Sequence, residues 1–391
     1  MSAVGWDADP GVSRWTGLPP LPGDCSADAC VVGLGASGLA AVEALAGRGL
    51  SVVGVDAGRV AAGAAGRNGG FLLGGPAPFL HDAIGRWGDC AVDLYRETLT
   101  EIDRLEATLP AGTLRRVGSI RLAGLPGEPA DERERAEVER EAKDCAEHAA
   151  ALREHGIAVE DYDGDLGRGI YLPDDAAVNP AVRAIELARR MADRAALHEH
   201  TPVERIEHGA VHTENGTIRA NVVIVAVDGR LDRLLPALAA HVRTARLQML
   251  ATGPVAPPRL PCPVYGRWGY DYAQQDDAGR LFVGGGRDLF VEAEWTHSTE
   301  PTPPVQAHIE DVGRRMAAAP VEVTHRWAAS VGFTGDGRPL CTSVAPGVVA
   351  IGGYNGTGNL VGPVAARAAV ALALDDQEPP PYFAARLDTP R

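Results

Sequence analysis

The chain has 391 residues, 45% hydrophobic and 23% charged, with 52 acidic against 37 basic side chains and a formal net charge of −15. That length exceeds one ordinary core and points to one large discontinuous domain or two interleaved ones. The acidic balance, with no block of Lys or Arg, argues against nucleic-acid and anionic-membrane partners, and no apolar run approaches the ~20 residues of a membrane span.

The N-terminal segment Met1–Gly23 holds Trp6, Trp15 and several prolines without a basic stretch leading into an apolar one, so it reads as an extended arm rather than a signal peptide. An apolar run from Ala29 then meets a G-x-G-x-x-G at Gly33, Gly35 and Gly38, a helix pattern reaching Arg48, and a second apolar run ending in Asp56. This is a β-α-β unit suited to a dinucleotide. Gly33 permits the bend, Gly35 admits a pyrophosphate, and Gly38 lets the helix pack on the strand. The phosphates are expected on the helix N-terminus at Gly35, Ala36, Ser37 and Gly38. Asp56, followed by Ala57, is placed to accept from a ribose and would repel a 2′-phosphate.

The run AAGAAGRNGGFLLGG, Ala61–Gly75, is too rich in glycine for a stable helix or packed strand and suits backbone lying against a flat ligand. Leu94, Tyr95, Leu99, Ile102 and Leu105 predict a helix over Arg86–Leu109, and strands follow over Leu114–Leu125. Over Pro129–Gly156 a charged helix is expected, with Val138, Ala142, Cys145, Ala149 and Leu152 as its thin apolar stripe and its charges on a solvated face. Asn179–Pro180 reads as an N-cap followed by N1. Asn215–Gly216 marks a hairpin turn ahead of a buried strand, Val222–Val227. A second hairpin is predicted around Asp277–Gly279, where Trp268, Tyr270 and Tyr272 recur at a spacing that puts them on one face of a strand. Near the end, Gly347–Ile351, Gly352–Gly358 and Leu360–Leu374 form a second strand–loop–helix device directed at a ligand.

G-R-N-G-G at Gly66–Gly70, G-x-x-G-x-G at Gly353–Gly358, and Trp327, Gly332, Thr334, Asp336 and Pro339 together resemble the FAD-dependent amine and amino-acid oxidoreductases related to D-amino-acid oxidase. The similarity is greatest to the branch of glycine oxidase, sarcosine oxidase and γ-glutamylputrescine oxidase. It implies an α/β fold, α+β overall, with a Rossmann-like FAD-binding domain (28–113, 166–230 and 323–391) interleaved with a mixed-sheet substrate domain (114–165 and 231–322) after an arm (1–27). By the same resemblance Arg67, Asn68, Gly69 and Gly70 lie along the pyrophosphate and isoalloxazine. Val203 meets the adenine through its backbone, and Ala226–Gly229 closes over the cofactor, with Asp228 where many relatives carry a small neutral residue. Gly353, Tyr354, Asn355, Gly356, Thr357 and Gly358 face the flavin edge that becomes negative on reduction.

The family's substrate pocket would include Tyr270 and Tyr272, boxing an amine by cation–π contact or a phenol hydrogen bond; the alternative is an aromatic core stripe. Arg287 would hold a carboxylate, or else pair on the surface with Asp288 or Glu292. The implied reaction is oxidation of a C–N bond in a small amine or amino acid by hydride transfer to flavin N5, giving an imine that hydrolyses, with O2 or another acceptor taking the electrons. Non-covalent FAD is expected. Val323–Thr324 occupies the region where some relatives carry a linking cysteine, Cys341 lies too near the loop, and Arg67 falls where others have a linking histidine. No metal site is expected. Six scattered cysteines without C-x-x-C suggest a reduced, cytoplasmic protein. A flavoenzyme acting on a hydroxy acid or biosynthetic intermediate, and a flavin-binding subunit without turnover, are the alternative functions. The substrate and the oligomeric state stay open.

Overall fold

The computed structural model describes residues 4–257 and 259–384, so Met1–Ala3 of the arm, Pro258 and the last seven residues lie outside the described part. Its first sheet has a parallel centre in the order Ala196–His198, Val52–Val55, Cys25–Val32, Gly216–Val225 and Val348–Gly352. These strands are apolar along most of their paired length because both faces are covered. Helices Ala36–Gly47, Pro180–Ala192 and Gly358–Asp375 contribute to the core on one side. Asn179 caps the second of these, its Oδ1 accepting from the amides of Ala181 and Val182, as expected of Asn before Pro at N1. The predicted Asn215–Gly216 turn joins Ala210–Thr213 to Gly216–Val225.

The second sheet has eight strands in the order Val323–Thr334, Val242–Pro254, Arg280–Gly284, Asp271–Gln275, Val264–Gly266, Ser119–Leu122, Gly167–Leu172 and Glu160–Gly164. One face is closed by helix Pro303–Ala317, whose Val305, Ile309, Val312 and Met316 pack with Leu250, Val264, Leu281 and Val283. Side chains alternate between faces of a strand, and the register places Trp327, Met249, Gly284, Tyr272, Tyr265 and Arg121 in one row across the other face. This row roofs the glycine-rich segment around Gly69. A third, small sheet joins Phe71–Leu72 and Leu114–Arg115 to Ala176–Val178.

Several expectations require correction. Strands Gly167–Leu172 and Val323–Thr334, which the boundaries at 166 and 323 assign to the nucleotide-binding part, pair into the second sheet. Trp268 and Tyr270 do not share a strand face with Tyr272. Arg267–Gly269 is a 3-10 turn with Trp268 at φ +58°, and the strand begins only at Asp271. The turn is held from outside: Glu141 accepts the Trp268 amide, and Asp144 accepts its indole N–H at 2.7 Å.

The predicted helix over Arg86–Leu109 is divided at Gly88, whose φ of +74° ends Leu80–Trp87 before Cys90–Thr108 begins. In helix Glu132–Glu154 the buried stripe includes Glu141 and His148, while Ala142 is exposed, so its charges are not all solvated. The arm is also not merely extended. Gly5–Ala8 and Pro10–Ser13 form short helical turns, and Trp6, Val12 and Leu21 are buried.

Candidate active site

Gly33 bends at φ +96°, where its amide donates to Val55 O and a Cβ would strike the carbonyl of Ala226. A Cβ at Gly38 would collide with the carbonyl of Gly33, which explains glycine at the close helix–strand contact. Gly35, the N-cap of helix Ala36–Gly47, has only Ala65 near its Cβ position, at 3.4 Å. The helix N-terminus therefore retains room for an anion on its first amides. Ser37 and Gly38 lie buried in the first turn.

Asp56 accepts from Leu34 N through one oxygen and from Gly58 N through the other, both at 2.8 Å, and burial raises its carboxyl above the ordinary range. Ala57 beside it is exposed. The Thr201 amide donates to Asp56 O, placing the start of strand Val203–Glu207 beside that carboxylate.

The second glycine-rich device meets the first. Gly362 packs against Ser37 and the Tyr354 ring, and the buried Tyr354 hydroxyl has Ser37 as its polar neighbour. Asp228, at φ +41°, gathers three amides: Gly332 at 3.1 Å, Gly353 at 2.9 Å and Tyr354 at 3.3 Å. Burial nevertheless pushes its carboxyl up to about 6. Asn355 braces the loop by accepting the Thr334 amide at 3.0 Å and donating to the carbonyls of Gly337 and Gly353. Thr357 donates its hydroxyl to Tyr354 O at 2.7 Å, and helix Gly358–Asp375 starts just beyond it. The Cβ position of Gly356 has nothing within 4 Å, so this turn has an open side.

The decisive link is a residue that sequence reasoning did not single out. Asn359 exchanges amide hydrogen bonds with Asn68, at 3.0 and 3.1 Å, and also donates to Phe71 O at 2.8 Å. Arg183 supports it from below, donating to its Oδ1 and O. Asn68 further donates to the carbonyls of Ala64 and Ala65 and accepts from Gly70 N, so its side chain shapes the turn. The available sequence signal was an Asn directly after the G-x-x-G-x-G.

Above this segment, Tyr272 lies against Gly69 and meets Phe71 edge-on with ring centroids 5.6 Å apart. Burial raises its phenol pKa. Gln274 donates to Gly69 O, and Trp327 donates to Arg67 O at 2.8 Å. Gly70, at φ +74°, has no room for a Cβ between Val178 O and Gln274. Tyr270 is 41% exposed. Arg287 lies over Phe333 and Trp295, 4.1 and 4.4 Å from their centroids, while Asp288 pairs with Arg267. Neither surface pair weighed for Arg287, with Asp288 or with Glu292, is formed, and the aromatic side chains hold the guanidinium instead.

A family model described as DAO, FAD dependent oxidoreductase, matches residues 28–372. The chain belongs to the DAO family of FAD-dependent oxidoreductases. A curated relative, "Probable oxidoreductase OrdL" of Rhizobium meliloti (strain 1021), is 29% identical over 388 residues, covering 91% of this chain and 85% of its own. Glycine oxidase from Geobacillus kaustophilus superposes with a TM-score of 0.70 at 20% identity, over 90% of this chain and 95% of that one. L-Proline dehydrogenase from P. horikoshii gives 0.71 at 17%, over 93% and 96%.

The residues present fit the family's cofactor. The β-α-β turn keeps its N-terminal space at Gly35, and the second loop is open at Gly356. Between them, the Nε of Arg67 is buried without a hydrogen-bond partner, and burial lowers that guanidinium's pKa. Among the described residues no helix is long and apolar enough to cross a membrane.

Proposed function

We propose that this DAO-family flavoprotein oxidises the C–N bond of a small amine or amino acid, with non-covalent FAD and with O2 as the electron acceptor. The observation carrying this reading is the convergence of two glycine-rich devices, locked by Asn68 and Asn359, beneath a sheet that presses Tyr272 onto Gly69. Named activities of the structural relatives, glycine oxidase and L-proline dehydrogenase, support the substrate class.

When bound, FAD supplies the two-electron acceptor for the substrate's C–H hydride. Gly35, Ala36, Ser37 and Gly38 would hold the pyrophosphate on helix amides, Arg67 would add a positive charge, and Asp56 would accept from the ribose. Val203 and Ala226 would flank the adenosine end. Gly353–Gly358 and the helix that follows would direct amides and a positive helix end toward charge developing on the reduced ring. Tyr272 would orient the amine and exclude water from the roof side, with Tyr270 and Arg287 nearer the entrance.

The test is anaerobic mixing of the yellow protein with amines, amino acids and hydroxy acids, followed by admission of air and hydrogen peroxide detection. Bleaching by amines alone is the expected result. Bleaching by hydroxy acids alone would transfer the reading to C–OH chemistry.

A further inference from the structure

Arg121 stands in the roof row, two strands beyond Tyr272. It is only 8% exposed, yet its Nε has no hydrogen-bond partner. Its guanidinium lies between the rings of Phe79 and Tyr265, 4.2 and 4.8 Å from their centroids. Such contacts satisfy the faces of the cation and leave its in-plane N–H donors to find acceptors. The Tyr265 phenol beside it, its pKa raised by burial, is a neutral acceptor.

The nearby carboxyls are committed elsewhere. Glu141 accepts from the amides of Gly124 and Trp268, while Asp175 accepts from the Ser119 hydroxyl at 2.6 Å and the Gly74 amide at 2.7 Å. Burial pushes both carboxyls up to about 7 even though the Arg121 charge acts to lower them, and neither accepts a hydrogen bond from its guanidinium. Burial works against this charge, but Tyr265, Cys145 and Glu141 more than offset it and hold the pKa above the ordinary value, so the guanidinium stays charged with its Nε unpartnered, and its planar fork matches a carboxylate.

We propose that Arg121 binds the carboxylate of an amine substrate whose acidic end is remote from the oxidised C–N bond. The inference rests on the amine-oxidation reading above and specifies its substrate. Two strand spacings separate Arg121 from Tyr272 along the row, about 10 Å at the usual spacing between neighbouring strands. A carboxylate on the carbon next to the amine would leave that separation unspanned, whereas an ω-amino acid offers the longer reach.

The holoenzyme is tested anaerobically with glycine, β-alanine, 4-aminobutyrate and their longer homologues, each beside its carboxamide, with flavin bleaching followed against concentration. A homologue longer than glycine should be favoured, half-saturating about 100-fold below its amide, the ratio expected for two charge-assisted hydrogen bonds. Arg121→Gln should bring that acid-to-amide ratio to about one, with Arg121→Lys restoring part of it. Glycine outperforming every longer homologue, equal saturation by acids and amides in the unmodified protein, or a ratio preserved in Arg121→Gln would each overturn the proposal. The acid-to-amide comparison in the unmodified protein stands even if the glutamine variant fails to fold. Bleaching without acid preference sinks only the Arg121 site; no bleaching by any amine sinks amine oxidation itself and this site with it.

Discussion

At the scale of single residues, Asn359 is where the two ligand-directed turns become one site. Its Nδ2 donates to Asn68 Oδ1 and Phe71 O, while its Oδ1 accepts from Asn68 and Arg183. Asn359→Asp keeps the shape but replaces the donor with an acceptor, so Asn68 Oδ1 and Phe71 O would both face a carboxylate oxygen. An unmet buried acceptor costs about 1–3 kcal/mol, and a stronger bond from Arg183 offsets part of that loss. A net destabilisation of about 2 kcal/mol is expected by urea unfolding, together with faster FAD release followed by flavin fluorescence. Unchanged stability and unchanged FAD release would show that the two turns are held together by something else.

At the scale of elements, the arm is a strap between the two sheets. Trp6 stacks on Phe282 with centroids 3.4 Å apart and planes within 3°, and its indole N–H reaches Asn68 O at 2.9 Å. Further along, Glu199 takes the indole N–H of Trp15 and the amides of Leu18 and Val60. Trp6→Phe should retain much of the stacking and lose about 1 kcal/mol for the missing hydrogen bond. Trp6→Ala should lose about 3–5 kcal/mol, with urea midpoints separating the two. Equal losses would mean that stacking contributes nothing. The arm's docking was not legible from sequence because its short apolar pattern gives no partner.

The parallel strands, the Asn179 cap and the Asn215–Gly216 turn were legible because each rests on local chemistry: apolar runs, an N-cap before Pro, and a turn dipeptide. Trp268 and Tyr270 misled because period-two spacing shows only how residues would lie if the strand continued. Glu141, on a helix more than a hundred residues earlier in the chain, captures Trp268 in a turn. Arg121 was invisible for a related reason: one arginine in a short strand becomes distinctive only when Phe79 and Tyr265 cover its faces.

At the scale of the molecule, three buried carboxyls join separate parts: Glu141 ties a helix to the second sheet, Asp175 ties the small sheet's turn to Ser119, and Asp228 ties the closing loops of the first sheet. Burial raises Glu141 and Asp175 to about 7 and Asp228 to about 6. In each case the folded protein holds a proton that the unfolded chain releases at lower pH. Their contribution is therefore complete in acid and is lost as pH rises through 6 to 7. Buried His148 acts in the opposite sense, its pKa well below the ordinary value, and so favours the fold as pH rises toward that ordinary value. Three groups outweigh one, so urea unfolding of the holoprotein should show stability falling from pH 5 through pH 7 and levelling off by pH 8, once the three carboxyls are ionised in the folded as well as the unfolded chain. Glu141→Gln should be less stable throughout, because one amide oxygen cannot replace two carboxylate oxygens for Gly124 and Trp268. Its stability should nevertheless decline less steeply, by up to one proton's worth, about 1.4 kcal/mol per pH unit. The slope separates titration of Glu141 from mere loss of its hydrogen bonds, which would lower the curve without changing its tilt.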